Sequence, residues 1–532
     1  MKNKLFNWSA LAFASAIALG TATIASAQQV LHRGNGSEPE TLDPQKSTGV
    51  PEAMIAVDLF EGLVTYGLNA ETVPGVAEKW DVSKDGTVYT FYLRTNAKWS
   101  NGDPVTAEDF VYSFRRLVDP ATAAEYAWVV DPILNAEQIR TAVEKDMTKL
   151  GVKALNAHTL QITLKASTPY FLSLLQHHST WPVHKATVEK FGDQWTRPGN
   201  SVSNGAYMMA EWMPQSRIML KKNPHFHAAD TVKINTVYYY PTESQVEEFK
   251  RFQVGELHIT YDIPTDQIDF VKKNLAQELH ISPYFGTYYY AINLTKAPLG
   301  EQAKLRQALA LAIDREVITD KIWKSGQIPA YGWVPPGIPG YQPQQLDEAK
   351  MTQTDREELA KKLYAEAGYG PQKPLKVEIL YNTSEAHKLT AVAVQYMWKQ
   401  VLGVETTITN QEWKVYLGSR EQKNYQVARA GWIGVYLDAQ AFLGMHKSDA
   451  GSTNQLGYHN EAYDQLLNTA AITQDASKRQ HLMEQAEKIF LDDHVIIPIY
   501  HYVTKALVKR NVSGFEDNVL GFHLTRYLSL KN

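Results

Sequence analysis

Apolar positions along the chain change period several times, and each change marks an element. Residues 87–94, TVYTFYLR, hold the aromatic and β-branched side chains of a strand, and Asn-Gly-Asp-Pro in AKWSNGDPVT (97–106) then predicts a turn. Phe110, Val111, Phe114, Leu117 and Val118 recur at helical spacing behind Thr106 as N-cap and the first-turn acids Glu108 and Asp109, and Pro120 stops the run. Alternation returns in HTLQITLK (158–165). KLRQALALAIDREVITDKIW (304–323) predicts one helix, and DREELAKKLYAEAGYG (355–370) predicts another that ends on Gly368. The strand PLKVEILYN (374–382), a helix starting near Ser384, a helix over 475–493 and the strand VIIPIYHYV complete the series. The regular alternation after residue 290 points to a distinct α/β unit.

The N-terminus departs from this pattern. Lys2 and Lys4 precede an apolar run over about residues 10–20, followed by Ala25, Ser26 and Ala27, which together read as a secretory signal over 1–27 cut before Gln28. The run is too short to span a bilayer, and no other stretch approaches about 20 apolar residues. Removing the two lysines takes the formal charge from -4 to -6. With no cysteine, the exported chain has no disulfide, no thiolate nucleophile and no site for a lipid anchor. A freely diffusing protein of a Gram-negative periplasm is expected. At 532 residues, with 44% hydrophobic and 21% charged, the chain supports two or three domains of ordinary globular makeup. Lys plus Arg (53) nearly balances Asp plus Glu (57) without a basic run, which disfavours nucleic acid.

Catalytic patterns are missing: there is no G-x-S-x-G, phosphate loop, H-E-x-x-H or dinucleotide fingerprint, so neither an enzyme nor a cofactor is expected. The pairs His177/His178 and His225/His227 are expected on solvated surface rather than on a metal. Aromatics are plentiful, with 12 Trp, 29 Tyr and 17 Phe. In YFGTYYYAINL (284–294) three consecutive tyrosines put a ring on both faces of a strand, which suits either a strand between two packed layers or a ligand-facing wall. VARAGWIGVYLDAQAFL (427–443) reads as an apolar strand running into a turn, yet it holds Arg429 and the glycines Gly431 and Gly434.

Taken in order, the segments SEPETLDPQKSTGVPE, AEKWDVSKDGTVYTFYLRTNAKWSNGDPVTAEDFVYSFRRLVDP, RPGNSVSNGAY, GTYYYAINL, PAYGWVPP, ILYNTSEAHK, NQEWK and ARAGW resemble the family 5 extracellular solute-binding proteins of ABC importers, in their oligopeptide-binding branch. The likeness covers essentially the whole mature chain. It implies an α/β fold of the type II periplasmic binding-protein kind, with two α/β lobes joined by a hinge and an additional lobe. Lobe I would comprise 28–60, 185–286 and 502–532, lobe II 61–184, and lobe III 287–501. It also implies a monomer that closes over a short extended peptide and delivers it to an inner-membrane permease. Carried over by motif, Thr48, Gly49 and Val50 pair with the ligand backbone from one side and Gly431, Trp432 and Ile433 from the other. Tyr126 bonds the ligand main chain through its hydroxyl, Trp413 borders the site, and the cations Arg429, Arg420 and His387 meet the ligand carboxylate. For Arg429 an intramolecular salt bridge is the competing expectation.

Three positions depart from the family pattern. Val435 stands where peptide binders place the aspartate that meets the α-ammonium, with Asp438 the nearest substitute. Thr48 replaces an acid, and Trp323 replaces a lysine. A cleft altered in this way suits a ligand without a free amine: a blocked or modified peptide, a bile-salt-like acid, or haem.

Overall fold

The computed structural model describes residues 28–531 except Pro169, Pro339 and Val435; the signal segment and the Val435 position therefore lie outside the described residues. Three larger sheets organise the chain. The first orders Val30–Gly36, Thr236–Pro241, Arg217–Lys222 and Tyr207–Met213, its first pair parallel and the others antiparallel. The second is antiparallel throughout: Ala77–Val82, Val88–Leu93, Thr159–Thr163 and Val152–Asn156. The third has six strands in the order Ile328–Pro329, Ile496–Leu507, Leu279–Ile292, Val427–Ile433, Lys376–Asn382 and Glu405–Gln411.

Two strands of the third sheet are unusually long, 14 residues for Leu279–Ile292 and 12 for Ile496–Leu507. They pair antiparallel along nearly their whole length, with slips in register between Pro283 and Thr287 and between Tyr288 and Tyr289. Their outer halves leave the sheet and pack beside the first one, where Ile259 bridges Arg33 and Val508.

Local signals explain most element boundaries. Thr106 caps Ala107–Val118 in a reciprocal box with Asp109, whose carboxylate accepts the Thr106 backbone N–H at 2.7 Å, and the five apolar residues read from the sequence are all buried. Ser384 caps Glu385–Leu402 and Asp475 caps Ala476–Asp492. Gly368, at φ +83°, follows the helix Gln353–Glu366.

The helix expected over 304–323 is broken. Ala303–Leu311 ends, Asp314 caps a new turn by accepting from Val317 N–H at 2.9 Å, and Ile318–Trp323 continues with π-type winding. Arg315 holds the break open: its buried guanidinium donates to the carbonyls of Ala310 and Ile313, as well as to Ala330 and Pro498.

Tyr288, Tyr289 and Tyr290 are all at most 1% exposed, Tyr288 and Tyr290 in one core cluster and Tyr289 in the other, so the strand lies between two packed layers. His177 and His178 are not on the surface as expected. They are 1% and 5% exposed, with His177 Nδ1 against Ser179 Oγ at 2.7 Å and His178 Nε2 against the Ser47 carbonyl at 3.1 Å. One partner each, local for His177 and 131 residues distant for His178, lets the pair enter a packed junction, and burial pushes His178 down to about 4.

Candidate functional site

The Val427–Ile433 strand is paired on one side only over most of its length. Leu279–Ile292 accompanies it from Gly286 opposite Ile433 to Ile292 opposite Val427, whereas Lys376–Asn382 meets it only at Val427 and Ala428. The bonds Gly434 N–H to Phe285 O (2.7 Å) and Asn293 N–H to Gln426 O (3.0 Å) fix the phase of the antiparallel ladder. Even-numbered residues therefore bond inward, and the backbones of Arg429, Gly431 and Ile433 face the open edge. The Arg429 carbonyl there takes the Tyr416 hydroxyl.

Beside this edge lies a cavity of about 270 Å³. It is lined by Gly34, Val50, Pro51, Met54, Glu248, Tyr261 and Tyr502 and by Trp323, Asn382, His387, Trp413, Arg429, Gly431 and Ile433. The two edges expected to grip a ligand thus meet at one cavity through Val50 and Gly431. Thr48 and Gly49 sit just behind Val50 and do not line it. Gly49 caps the helix Val50–Leu59, and a side chain on Gly49 would strike Glu52 and Trp413.

Arg429 is held by neutral groups. Nη1 donates to Asn382 Oδ1 at 3.1 Å, Nη2 donates to the Tyr502 hydroxyl at 2.8 Å, and the guanidinium lies 5.0 Å over the Tyr288 ring. Among the described residues no carboxylate pairs with it, so the competing expectation of an intramolecular salt bridge is not met, and its Nε has no partner. Gly431 matters for a reason beyond close backbone approach, since a side chain there would run into the Tyr502 hydroxyl that receives Arg429.

His387, expected as a cation, is neutral: burial first, then Arg429 and Lys505, hold it well below its ordinary value. Trp323 lines the cavity with its Nε1 unpartnered, and the Lys505 ammonium lies 5.1 Å over its ring. Lys505 in turn donates to Asp262 and to the Ile263 carbonyl. Trp413 Nε1 donates to Glu52 Oε1 at 3.3 Å; Glu52 is fully buried, its other oxygen lacks a partner, and burial pushes it up to about 7.

Several carried-over residues fall outside the cavity. Arg420, four residues after Tyr416 on one helix, stacks 5.7 Å from that ring among Tyr289 and Tyr425 and does not reach the space. Tyr126 donates to the Thr48 carbonyl at 3.0 Å, and its ring lies 6.0 Å from Trp432, whose Nε1 bonds the Ala441 carbonyl. Asp438 is no substitute for a missing acid, because Arg479 grips it through both nitrogens at 2.7 and 2.9 Å. The sequence reading missed Asn382, Tyr502, Lys505, Asp262 and Glu52. Lys505, a lone cation in the apolar run HYVTKAL, was the one with a visible signal.

The profile of bacterial extracellular solute-binding proteins, family 5 (middle), matches residues 71–454. The chain belongs to this family. This family 5 protein is 45% identical over 491 residues to the periplasmic oligopeptide-binding protein OppA of Salmonella typhimurium, covering 92% of this chain and 90% of that protein. It is also 37% identical over 489 residues to the probable deoxycholate-binding periplasmic protein YgiS of Escherichia coli, covering 92% and 91%. The crystal structure of Haemophilus influenzae OppA in complex with RPPGFSPFR superposes with a TM-score of 0.92 at 38% identity, over 95% of this chain and 99% of that one. The fold is that of a periplasmic binding protein, and the family consists of transport binding proteins rather than enzymes. No helix among the described residues is long and apolar enough to cross a membrane.

Proposed function

We propose that the protein is the periplasmic binding component of an ABC importer, holding a short extended peptide between two lobes for delivery to an inner-membrane permease. The ligand backbone adds to the open edge at Gly431 and Ile433, with Val50 opposite, and its carboxylate meets Arg429. The observation that carries this reading is Arg429 itself, a half-buried guanidinium facing the cavity with no anion of its own among the described residues. Lobe I (28–60, 185–286, 502–532) and lobe III (287–501) form the two walls, lobe II (61–184) packs alongside, and the long strands 279–292 and 496–507 are the hinge. Relatives named as oligopeptide-binding proteins support the ligand class. Calorimetric titration of trialanine is expected to show one saturable site that Arg429→Gln weakens by about 100-fold. Equal affinity for variant and native protein would remove the basis of the reading.

A further inference from the structure

We infer that Glu243 is a cation subsite of the cleft, where the ligand presents an ammonium or guanidinium group to the carboxylate beside the Trp413 ring. This inference rests on the reading of the cavity as the ligand site.

The carboxylates among the cavity-lining residues are Glu243, Glu248 and Asp262. Two of them are already engaged. Asp262 pairs with Lys505 and also accepts from Gln245 Nε2. Glu248 has both oxygens occupied, by the backbone N–H groups of Tyr261 (2.9 Å) and Asp262 (3.3 Å), and burial pushes it up to about 8, so it is uncharged near neutrality. Glu243 differs from both. It is half-buried and accepts the Trp413 backbone N–H at the start of a helix, and among the described residues no lysine or arginine pairs with it. Burial first, and then the neighbouring Glu412, raise its pKa. A cation brought by a second molecule would offset both effects.

The cations of the cavity lining are committed elsewhere. Lys505 is taken by Asp262, Arg429 donates to Asn382 and Tyr502, and Arg33 donates to the His523 carbonyl and Thr525 Oγ1. Nearby acids do not compete for a ligand. Glu385 accepts Ser244 Oγ at 2.8 Å and Gln245 N–H at 3.0 Å, and the unpartnered oxygen of Glu52 lies buried under Gly49.

The surroundings of Glu243 suit an organic cation. The Trp413 ring is fixed, with Nε1 donating to Glu52 Oε1 at 3.3 Å and its edge against Gly49. Val50, Pro51 and Met54 add apolar lining against which methylenes can lie. Glu243 follows Thr236–Pro241 of the first sheet, whereas Arg429 belongs to the third. A ligand carrying both charges therefore ties one sheet to the other.

The test is calorimetry on the whole protein with five probes: trialanine, N-acetyl-trialanine, and three N-acetyl tripeptides of alanine with lysine at the first, second or third position. At least one cation-bearing probe is expected to bind about tenfold or more tighter than N-acetyl-trialanine, and in Glu243→Gln that advantage should fall below about threefold. The glutamine keeps an acceptor for the Trp413 N–H, and binding of N-acetyl-trialanine reports that the variant is folded. Acetylating the amine of the tightest probe should abolish the same advantage in the native protein. An advantage confined to trialanine assigns the subsite to the α-ammonium, and one confined to a lysine peptide assigns it to a side chain; either supports the inference. A smaller advantage in the native protein, or one that survives in Glu243→Gln, overturns the inference while the peptide reading stands. Binding of none of the five overturns both.

Discussion

Two arginines bordering the Val427–Ile433 strand and the loop after it have opposite circumstances. Arg479 closes on Asp438 with two short bonds and lies 4.3 Å over Tyr170, so its charge is cancelled within the protein. Arg429 is half-buried, and its partners are an amide oxygen, a phenol and a ring face. A cancelled charge serves the fold. An uncancelled one makes the fold less stable than it could be, and it is retained where a second molecule supplies the missing anion.

Substitutions can break this contrast, and the largest effect belongs to the closed pair. Arg479→Gln leaves Asp438 without its cation and is expected to destabilise the protein by about 3 kcal/mol, read as a lower denaturation midpoint at unchanged slope. Arg429→Gln is expected to do the reverse: ligand affinity falls by about 100-fold, some 2.7 kcal/mol, while the melting temperature without ligand holds or rises. Should both variants lose stability alike, the contrast disappears.

Glu52 sharpens the comparison from the side of the acid. Its pKa rises from 4.5 unfolded to about 7 in the fold because burial disfavours the anion. The folded state therefore binds the extra proton, and the corresponding stability is full below about pH 4.5 and is lost as pH climbs through about 7. Glu52→Gln is expected to flatten that slope and to be more stable than the native protein at pH 8 by on the order of 2 kcal/mol, measured by denaturant titration at several pH values. The smallest effect is that of Tyr502→Phe, which removes one neutral bond to Arg429 and should lower ligand affinity by about fivefold, roughly 1 kcal/mol.

Elements whose signals are local were legible in the sequence: Thr106 with Asp109, Ser384, Asp475 and Gly368 each act on their own helix end, and alternation marks strands wherever one face is buried. The break near Asp314 was not, because Asp314 and Arg315 also fit a continuous helix until the carbonyls of Ala330 and Pro498 draw the guanidinium away. At the site, Arg429 and Gly431 stood out as a cation and a bare backbone in an apolar strand. Their supports did not, since Asn382 and Tyr502 lie 47 and 73 residues from Arg429 and only the sheet order brings them together. Asp438 misled for the same reason: its partner is 41 residues away. Tyr126, aimed by motif at a ligand, instead holds the Thr48 carbonyl, a contact between distant segments that no local pattern encodes.

The slipped register between the two long strands reaches the site. Residues 284–286 have no partner on the Ile496–Leu507 strand and are held from elsewhere, Phe285 donating to the Val519 carbonyl at 2.8 Å and accepting from Gly434 N–H at 2.7 Å. Tyr284 from the slip and Tyr502, Val503 and Thr504 from the strand beside it also form part of the cavity wall. Tyr502, which faces this gap in the ladder, is also the phenol that accepts from Arg429, so the irregular stretch of the ribbon and the arginine share one side chain.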